Sequence, residues 1–397
     1  MKKDLEDVFT PAPSRQDRGK IPWKAIFHFF AGKIDFMQII PMVLLFAIGV
    51  CFIYGTGQQA GGAATLLWEK QLTYFLIGGA CYLVLSFLDY RWLGPLSILA
   101  YPGSILLLTY VLFFGVKYYG ATRWIKVGSM SVQPSELAKV AVILTVSWLL
   151  SLKKININNP LWFLGIMLLT GLPFYLIYKE PDLGTGLMMV FSVIAIIFSA
   201  KLKWRYILFF AVLVPTLAYS VFHSDLMPEY QKKRVMVFLN PELDPLRTGW
   251  SPRQAELAVG SGGFSGKGFM QGTISALGYL PQTVSNSDFI FPVIAEEKGF
   301  LGAITLVILY MILILSILRT ALLTEDKFGR YLCVGAGTML FMHSIVNIGM
   351  CIRLAPVTGV PLPLVSYGGT FLIATMIYLG LVHSVYTHND KKSLFDL

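Results

Sequence analysis

Apolar runs of roughly twenty residues recur along almost the whole chain, parted by short polar stretches. They fall at about 36–57, 71–89, 93–115, 135–151, 160–178, 183–200, 204–222, 289–318, 331–352 and 366–387. A helix rising 1.5 Å per residue needs about 20 such residues to cross a hydrocarbon core of about 30 Å, so each run predicts a transmembrane helix. The pattern therefore predicts an all-α, polytopic integral membrane bundle of about ten helices, with both ends of the chain on one side. It makes 36–388 a single transmembrane domain between tails at 1–35 and 389–397. Ile26, Phe27, Phe29 and Phe30 predict a short interfacial helix within the first tail. One connection is long, 223–287, rich in Gly, Pro and aromatic residues, and a loop of that length is usually functional. No repeat of fixed period is present, which excludes a solenoid.

Composition sharpens this picture. Hydrophobic residues make up 55% and charged ones 14%, with a mean hydropathy of +0.66. Soluble domains carry about a quarter charged residues, so no separate soluble domain is expected. The net charge of +10 is spread over many short loops, which argues for membrane topology and against nucleic acid. Lys and Arg concentrate in the N-terminal tail and in loops holding Arg91, Lys153 and Lys154, Lys201 to Arg205, Arg319 to Arg330, and Lys391 and Lys392. Such residues favour the cytoplasmic face, which predicts a multi-pass membrane protein with both termini in the cytoplasm. The apolar run begins too late for a cleavable signal peptide. The outer loop 116–134 dissents: Lys117, Arg123 and Lys126 lie there with no acid before Glu136, which points to an anionic ligand. Cys51, Cys81, Cys333 and Cys351 sit in or beside apolar segments without pairing motifs and read as small hydrophobes.

Five stretches could carry chemistry. Gly120 to Ile125 is followed by Gln133-Pro134-Ser135-Glu136-Leu137-Ala138-Lys139, where Glu136 and Lys139 share one face of a helix start. They form either an interfacial ion pair or a pair facing a polar cavity, since charge at bilayer depth costs about 2.5–3.5 kcal/mol. Glu180-Pro181-Asp182-Leu183-Gly184 offers Asp182 as a helix cap, or a second acid pair near the membrane face of Glu136, able to bind a divalent cation or cationic side chains. Gly260 to Phe269 lacks the Gly and Ser/Thr of a phosphate-binding P-loop, and fails the dinucleotide pattern at Ser265. It reads as a tight outer loop pressed against substrate or against the bundle. Asp288 stands where the long connection meets an apolar run, as a helix cap or as a base whose pKa rises beside Phe289 and Phe291. Pro356 to Gly369, with three prolines and three glycines, breaks a helix at membrane depth and predicts a re-entrant wall. His343, His383 and His388 read as structural or solvated.

In this order, Gly-Ala-x-Arg-Trp, Gln-Pro-Ser-Glu-x-x-Lys, Pro-Asp-Leu-Gly-Thr, the glycine run with Lys267, Asp-Phe-Ile-Phe and Pro-Leu-Pro-x-x-Ser-Tyr-Gly-Gly closely resemble the SEDS family, and within it the RodA-type elongation branch. Arg353 and Asn286-Ser287 depart from the family pattern and leave the acid in place. The resemblance implies a glycosyltransferase that polymerises lipid II into peptidoglycan strands during cell elongation, at the outer face of the membrane, releasing undecaprenyl diphosphate. It implies Asp288 as the essential acid, here a general base in an inverting displacement. Glu136, Lys139, Asp182, Arg123, Trp124, Gln133, Arg234, Lys267 and Ser366 become candidates to line the cavity or bind substrate. Arg123, Lys139 and Arg234 are candidates to stabilise the departing diphosphate. A divalent cation, magnesium or manganese, is a candidate cofactor with Glu136 and Asp288 as candidate ligands. The implied partners are a class B penicillin-binding protein, elongation-complex proteins and membrane lipids, with no nucleic acid. The rivals are a lipid-linked sugar transporter or flippase, which also uses broken helices and buried charge, and a non-catalytic scaffold for a transpeptidase.

Overall fold

The computed structural model describes residues 33–389 except 119, 120, 129, 225 and 226. The chain divides into Met1–Asp35 and Phe36–Leu397. The interfacial helix expected at 25–31 and most of both tails lie outside the described residues.

Each of the ten expected spans is a helix. Seven precede the long connection: α1 Phe36–Ala60, α2 Leu67–Phe87, α3 Leu93–Phe114, α4 Pro134–Ser151, α5 Pro160–Lys179, α6 Leu183–Ser199 and α7 Trp204–His223. The connection itself holds α8 Glu229–Leu239, α9 Trp250–Ser261, α10 Thr273–Ala276 and α11 Gln282–Ser285. The last three spans follow it as α12 Ile290–Leu323, α13 Lys327–Cys351 and α14 Gly369–Thr387. Among the described residues, seven helices are long and apolar enough to cross a membrane, and α6 is a shorter apolar helix. The architecture is thus a polytopic helical membrane protein. Proline at the first position of α4 and α5 costs no hydrogen bond there. Asn159 and Asp326 cap α5 and α13 through the amides of Leu161 and Gly329 at 3.0 and 2.9 Å.

The helices are not equivalent. Burial of the spanning window reaches 83% in α14, 72% in α4 and 61% in α13, against 22% in α3 and α5, so the first three form the centre and the last two face lipid. Without a hydrophobic force between helices in lipid, close approach needs small residues. Gly335 of α13 accordingly meets Ile143 and Ile196, and Gly380 of α14 meets the Tyr82 backbone.

Contacts between connections define two ends of the bundle. At one end Tyr90 bonds Asp326, Asn158 bonds the Lys201 carbonyl, and Asn389 bonds the Leu323 carbonyl. This end carries the basic loops. At the other end gather the described residues of 115–133, 180–182, 224–289 and 352–368, tied by contacts such as Arg123 to the Glu180 carbonyl, Arg234 to the Val357 carbonyl and Arg353 to Glu256.

Two features there go beyond the apolar pattern. Residues 116–132 form a three-stranded antiparallel sheet, β1 Val116–Tyr118, β2 Ala121–Val127 and β3 Met130–Val132, with Val116 opposite Trp124 and Ile125 opposite Val132. The glycine run packs on α12, which is broken at Gly299, with φ 64° and ψ −159°. A break strands backbone groups that lipid cannot satisfy. The run satisfies them. Lys267 and Gly268 amides donate to the Glu296 and Glu297 carbonyls at 3.0 Å each, and the Phe300 and Leu301 amides donate to the carbonyls of Gly263 and Phe264 at 2.8 and 3.2 Å. Gly266, at φ 79°, lies so close to the Glu297 backbone that a Cβ would collide with it. Of the two readings of this run, the one against the bundle is what the structure holds.

Candidate active site

Asp288 ends the long connection two residues before α12, and its backbone is held from several sides. Its carbonyl accepts from Asn347 Nδ2 at 2.9 Å, and the same nitrogen donates to the Val360 carbonyl at 2.7 Å. Ser366 Oγ donates to the Ser287 carbonyl at 2.5 Å, the Tyr367 amide donates to the Asn286 carbonyl at 2.8 Å, and Thr56 of α1 donates to the Asn286 side chain. Residues from α1, α13 and the re-entrant segment therefore fix one short stretch. The carboxylate faces Gly359, whose φ is 72°, and a Cβ there would stand 3.3 Å from Oδ2. Glycine at 359 meets both demands, the left-handed backbone and the room for the acid.

The residue is half-buried, but its carboxyl group is enclosed by protein. That enclosure pushes its pKa from 3.8 up to about 6, against the pull of a Ser287 hydrogen bond, of Arg234 and of Arg123, and with the help of the Asp182 charge. An acid near neutrality is what proton acceptance from a hydroxyl requires.

Asp182 caps α6 through the Thr185 amide at 3.3 Å. It also receives Gln133 Nε2 at 3.0 Å and Arg123 Nη1 at 3.6 Å, so one carboxylate ties the sheet, the start of α4 and the start of α6 together. Arg123 further donates Nε to the Glu180 carbonyl at 2.9 Å and Nη2 to the Pro181 carbonyl. Gly184 lets α6 approach the re-entrant segment, where a Cβ would stand 3.0 Å from the Thr358 carbonyl. This contact brings the Asp182 corner beside the segment that faces Asp288.

One turn into α4, Lys139 Nζ stands 3.0 Å from Glu136 Oε2, with side-chain exposures of 1% and 4%. The pair is therefore sealed from solvent, and an isolated charge at that depth would be costly. Lys139 Nζ is also 3.3 Å from His343 Nε2, and 5.7 Å from the centre of the Phe371 ring. A cavity of about 10 Å³, bounded also by Tyr378 and Pro363, lies against the trio.

The other candidates fall in different places. Arg234, exposed on α8, donates Nη1 to the Val357 carbonyl at 3.2 Å and lies close enough to Asp288 to act on its charge. Trp124 is half-buried in β2. Ser366 works through its hydrogen bonds to the Ser287 carbonyl and from the Leu362 amide, at 2.5 and 2.8 Å. Lys267 pairs with Glu296 at 2.6 Å beside Thr273, inside the packing of the glycine run. Among the described residues, no three His, Cys, Asp or Glu side chains gather as a metal cage, and Glu136 is committed to Lys139.

Two residues at this site carry no sequence signal for function, and a third, Glu180, enters the sequence reading only beside Asp182 in an acid pair. His343 reads from sequence as structural or solvated, yet it touches Lys139; 204 positions separate them, and no local spacing could report the contact. Asn347, which clamps Asp288, carries no motif. Glu180 is wholly buried, and among the described residues its carboxyl oxygens lack hydrogen-bond partners. Enclosure, and then the Asp182 charge, push its pKa up to about 9 against the pull of Arg123.

The helical membrane bundle is a frame shared with known proteins. The chain belongs to the FTSW_RODA_SPOVE family, described as cell cycle protein, which matches residues 35–391. It is 37% identical over 364 residues to the peptidoglycan glycosyltransferase MrdB of Escherichia coli (strain K12), covering 90% of this chain and 94% of that one. It is 30% identical over 424 residues to the peptidoglycan glycosyltransferase RodA of Treponema pallidum (strain Nichols), covering 88% and 97%. Among solved structures it resembles a chain from a study of how a peptidoglycan synthase complex coordinates polymerization and crosslinking, with TM-score 0.74, 31% identity and coverage of 90% and 99%. It also resembles the rod shape determining protein RodA of Thermus thermophilus, with TM-score 0.66, 28% identity and coverage of 90% and 98%.

Proposed function

We propose that this chain, a peptidoglycan glycosyltransferase by family, polymerises lipid II into glycan strands at the outer face of the cytoplasmic membrane during cell elongation, with Asp288 as general base. The observation that carries the reading is the enclosed Asp288 carboxylate, with a pKa near 6, held from several sides and within the influence of Arg234 and Arg123.

Asp288 accepts the proton of the acceptor's sugar hydroxyl. The freed oxygen attacks the donor's anomeric carbon, and the bond from that carbon to the diphosphate breaks, which inverts the centre and releases undecaprenyl diphosphate. Negative charge grows on the leaving diphosphate, so the cationic groups Arg123 and Arg234 are suited to stabilise it, with Lys139 deeper in the bundle. The end of the bundle opposite the basic loops supports an outer site and cytoplasmic termini.

A divalent cation, magnesium or manganese, stays in the reading as a companion of the diphosphate, since Mg²⁺ commonly uses one or two carboxylates plus substrate phosphates. Asp288 suits it better than Glu136, which Lys139 already occupies. Loss of activity with chelator, restored by the ion, tests this. The link between relatives and a synthase complex supports a transpeptidase partner, a class B penicillin-binding protein with other elongation proteins.

The deciding experiment offers lipid II to purified protein and resolves glycan strands on a gel. Wild type should make polymer and Asp288→Asn none; polymer from the Asn variant removes Asp288 from the mechanism. Movement of lipid II across vesicles without polymer would favour a transporter instead.

A further inference from the structure

Outside the carboxylate centre, the long connection and the re-entrant segment enclose a second, strongly cationic cleft. It has a volume of about 30 Å³ between α8, α9 and residues 353–357, and three arginines line it, Arg234, Arg253 and Arg353, against Val237, Pro252 and Val357. Among the described residues Glu256 stands 2.9 Å from Arg353, and Asp288 is close enough to Arg234 for their charges to act on each other. The neighbouring lysines of α8 are already paired, Lys232 with Glu229 and Lys233 with Asp244. Among the described residues, neither Arg234 nor Arg253 has a carboxylate within ion-pair distance.

A set of solvated surface arginines is the alternative, and two observations weigh against it. The cleft is built: Val237 is buried, and Arg234 is pinned by the Val357 carbonyl at 3.2 Å and by the Tyr230 ring at 5.9 Å. Guanidinium groups converging on apolar walls repel one another unless an oxyanion completes them, and their planar forks match carboxylate and phosphate oxygens. The cleft also shares a chain segment with the acid: Val357 is a wall of the cleft, and two residues on, Gly359 faces Asp288.

We propose that this cleft is an anion subsite that holds an oxyanion group, carboxylate or phosphate, of the acceptor molecule whose hydroxyl Asp288 deprotonates. The assignment to an acceptor rests on the proposed polymerase reading; the anion site itself does not. Arg253 and Arg353 then fix the acceptor beside the acid without touching the reacting atoms.

The test is direct binding to the full-length protein in detergent, by titration calorimetry, with two probes: inorganic pyrophosphate and the dipeptide acetyl-Ala-Glu. At least one should bind wild type and Asp288→Asn alike and lose about tenfold in affinity in the Arg253→Gln/Arg353→Gln variant. The Lys/Lys variant at the same positions, which keeps the charge, should retain most of the binding and controls for folding. Pyrophosphate as the responsive probe assigns a phosphate, and the dipeptide a carboxylate. If neither probe binds, or if the double substitution changes neither affinity, the proposal falls. In polymerisation the same double variant should raise KM for lipid II about tenfold with kcat within about twofold. Wild type that makes no polymer but binds a probe in the predicted way would overturn the polymerase reading and leave the anion site standing.

Discussion

Replacing Asp288 by Asn keeps the shape of the side chain and removes its ability to take a proton. A positioned general base contributes about 10²- to 10⁴-fold, so polymerisation should fall by at least about a hundredfold. The same acid sets a pH profile. With a pKa of about 6, about nine-tenths of the enzyme carries the carboxylate at pH 7 and about one-tenth at pH 5. The wild-type rate should therefore drop about tenfold for each pH unit below 6, whereas an acid at its ordinary 3.8 would leave the rate nearly flat down to pH 5. Stability should move the other way. A folded pKa raised above the unfolded one means that the fold disfavours the carboxylate. The penalty is complete above about pH 6 and vanishes below about 3.8. The displacement corresponds to at most about 3 kcal/mol, and to less for a half-buried residue that solvent screens. The Asn variant should thus melt higher than wild type at pH 7, with the gap closing toward pH 4. Strand synthesis on gels between pH 5 and 8, with thermal melts of both proteins, checks all three. A flat acid limb, or an Asn variant that is inactive but also less stable at pH 7, would show that the carboxylate is there to hold the fold.

Other consequences follow from the same geometry. Lys139→Met should destabilise the protein by about 3–5 kcal/mol by stranding Glu136, and adding Glu136→Gln should recover part of the loss in a thermal melt. His343→Gln, whose amide oxygen can stand in for Nε2 as an acceptor for Lys139, should keep clearly more polymerisation than His343→Leu; equal loss in both would exclude a role for that hydrogen bond. Gly266→Ala should cost about 1–3 kcal/mol, because the new methyl meets the Glu297 backbone at a positive φ, and an unchanged melting temperature would contradict the packing of the glycine run. Glu180→Gln should be nearly silent in activity at pH 7, where an acid with a pKa of about 9 is neutral in the fold, but it should melt higher than wild type there, because the unfolded chain is already ionised at that pH. The gap should be absent below about pH 4.5, grow as pH rises and level off above about pH 9, since the raised pKa sets that window.

The ten helices were legible because lipid imposes a long, nearly uniform apolar signal, and α1 to α7 and α12 to α14 stand within a few residues of the runs that predict them. The corner formed by Arg123, Gln133 and Asp182 could be anticipated only as three separate motifs, and nothing local fixes that Asp182 receives the other two. The sheet at 116–132 is silent in the sequence because three-residue strands carry almost no periodicity. Lys267 shows the same limit: its partner Glu296 lies beside a helix break at Gly299 that no pattern of apolar residues reports.

The chemistry of His343 follows from its neighbours. A charged lysine can only donate and a carbonyl can only accept, so a histidine between Lys139 Nζ and the Pro361 carbonyl, 3.3 Å from each, must be neutral with its proton on Nδ1. That proton ties the ring to the same re-entrant segment in which Val360 accepts from Asn347 and Gly359 faces Asp288. The positive charge in α4 and the acid at the mouth of α12 are thereby referred to one short stretch of irregular backbone. A bundle of stiff helices gains a site of defined geometry where its helices are interrupted, because the backbone groups freed by each interruption become the hydrogen bonds that hold the charged residues in place.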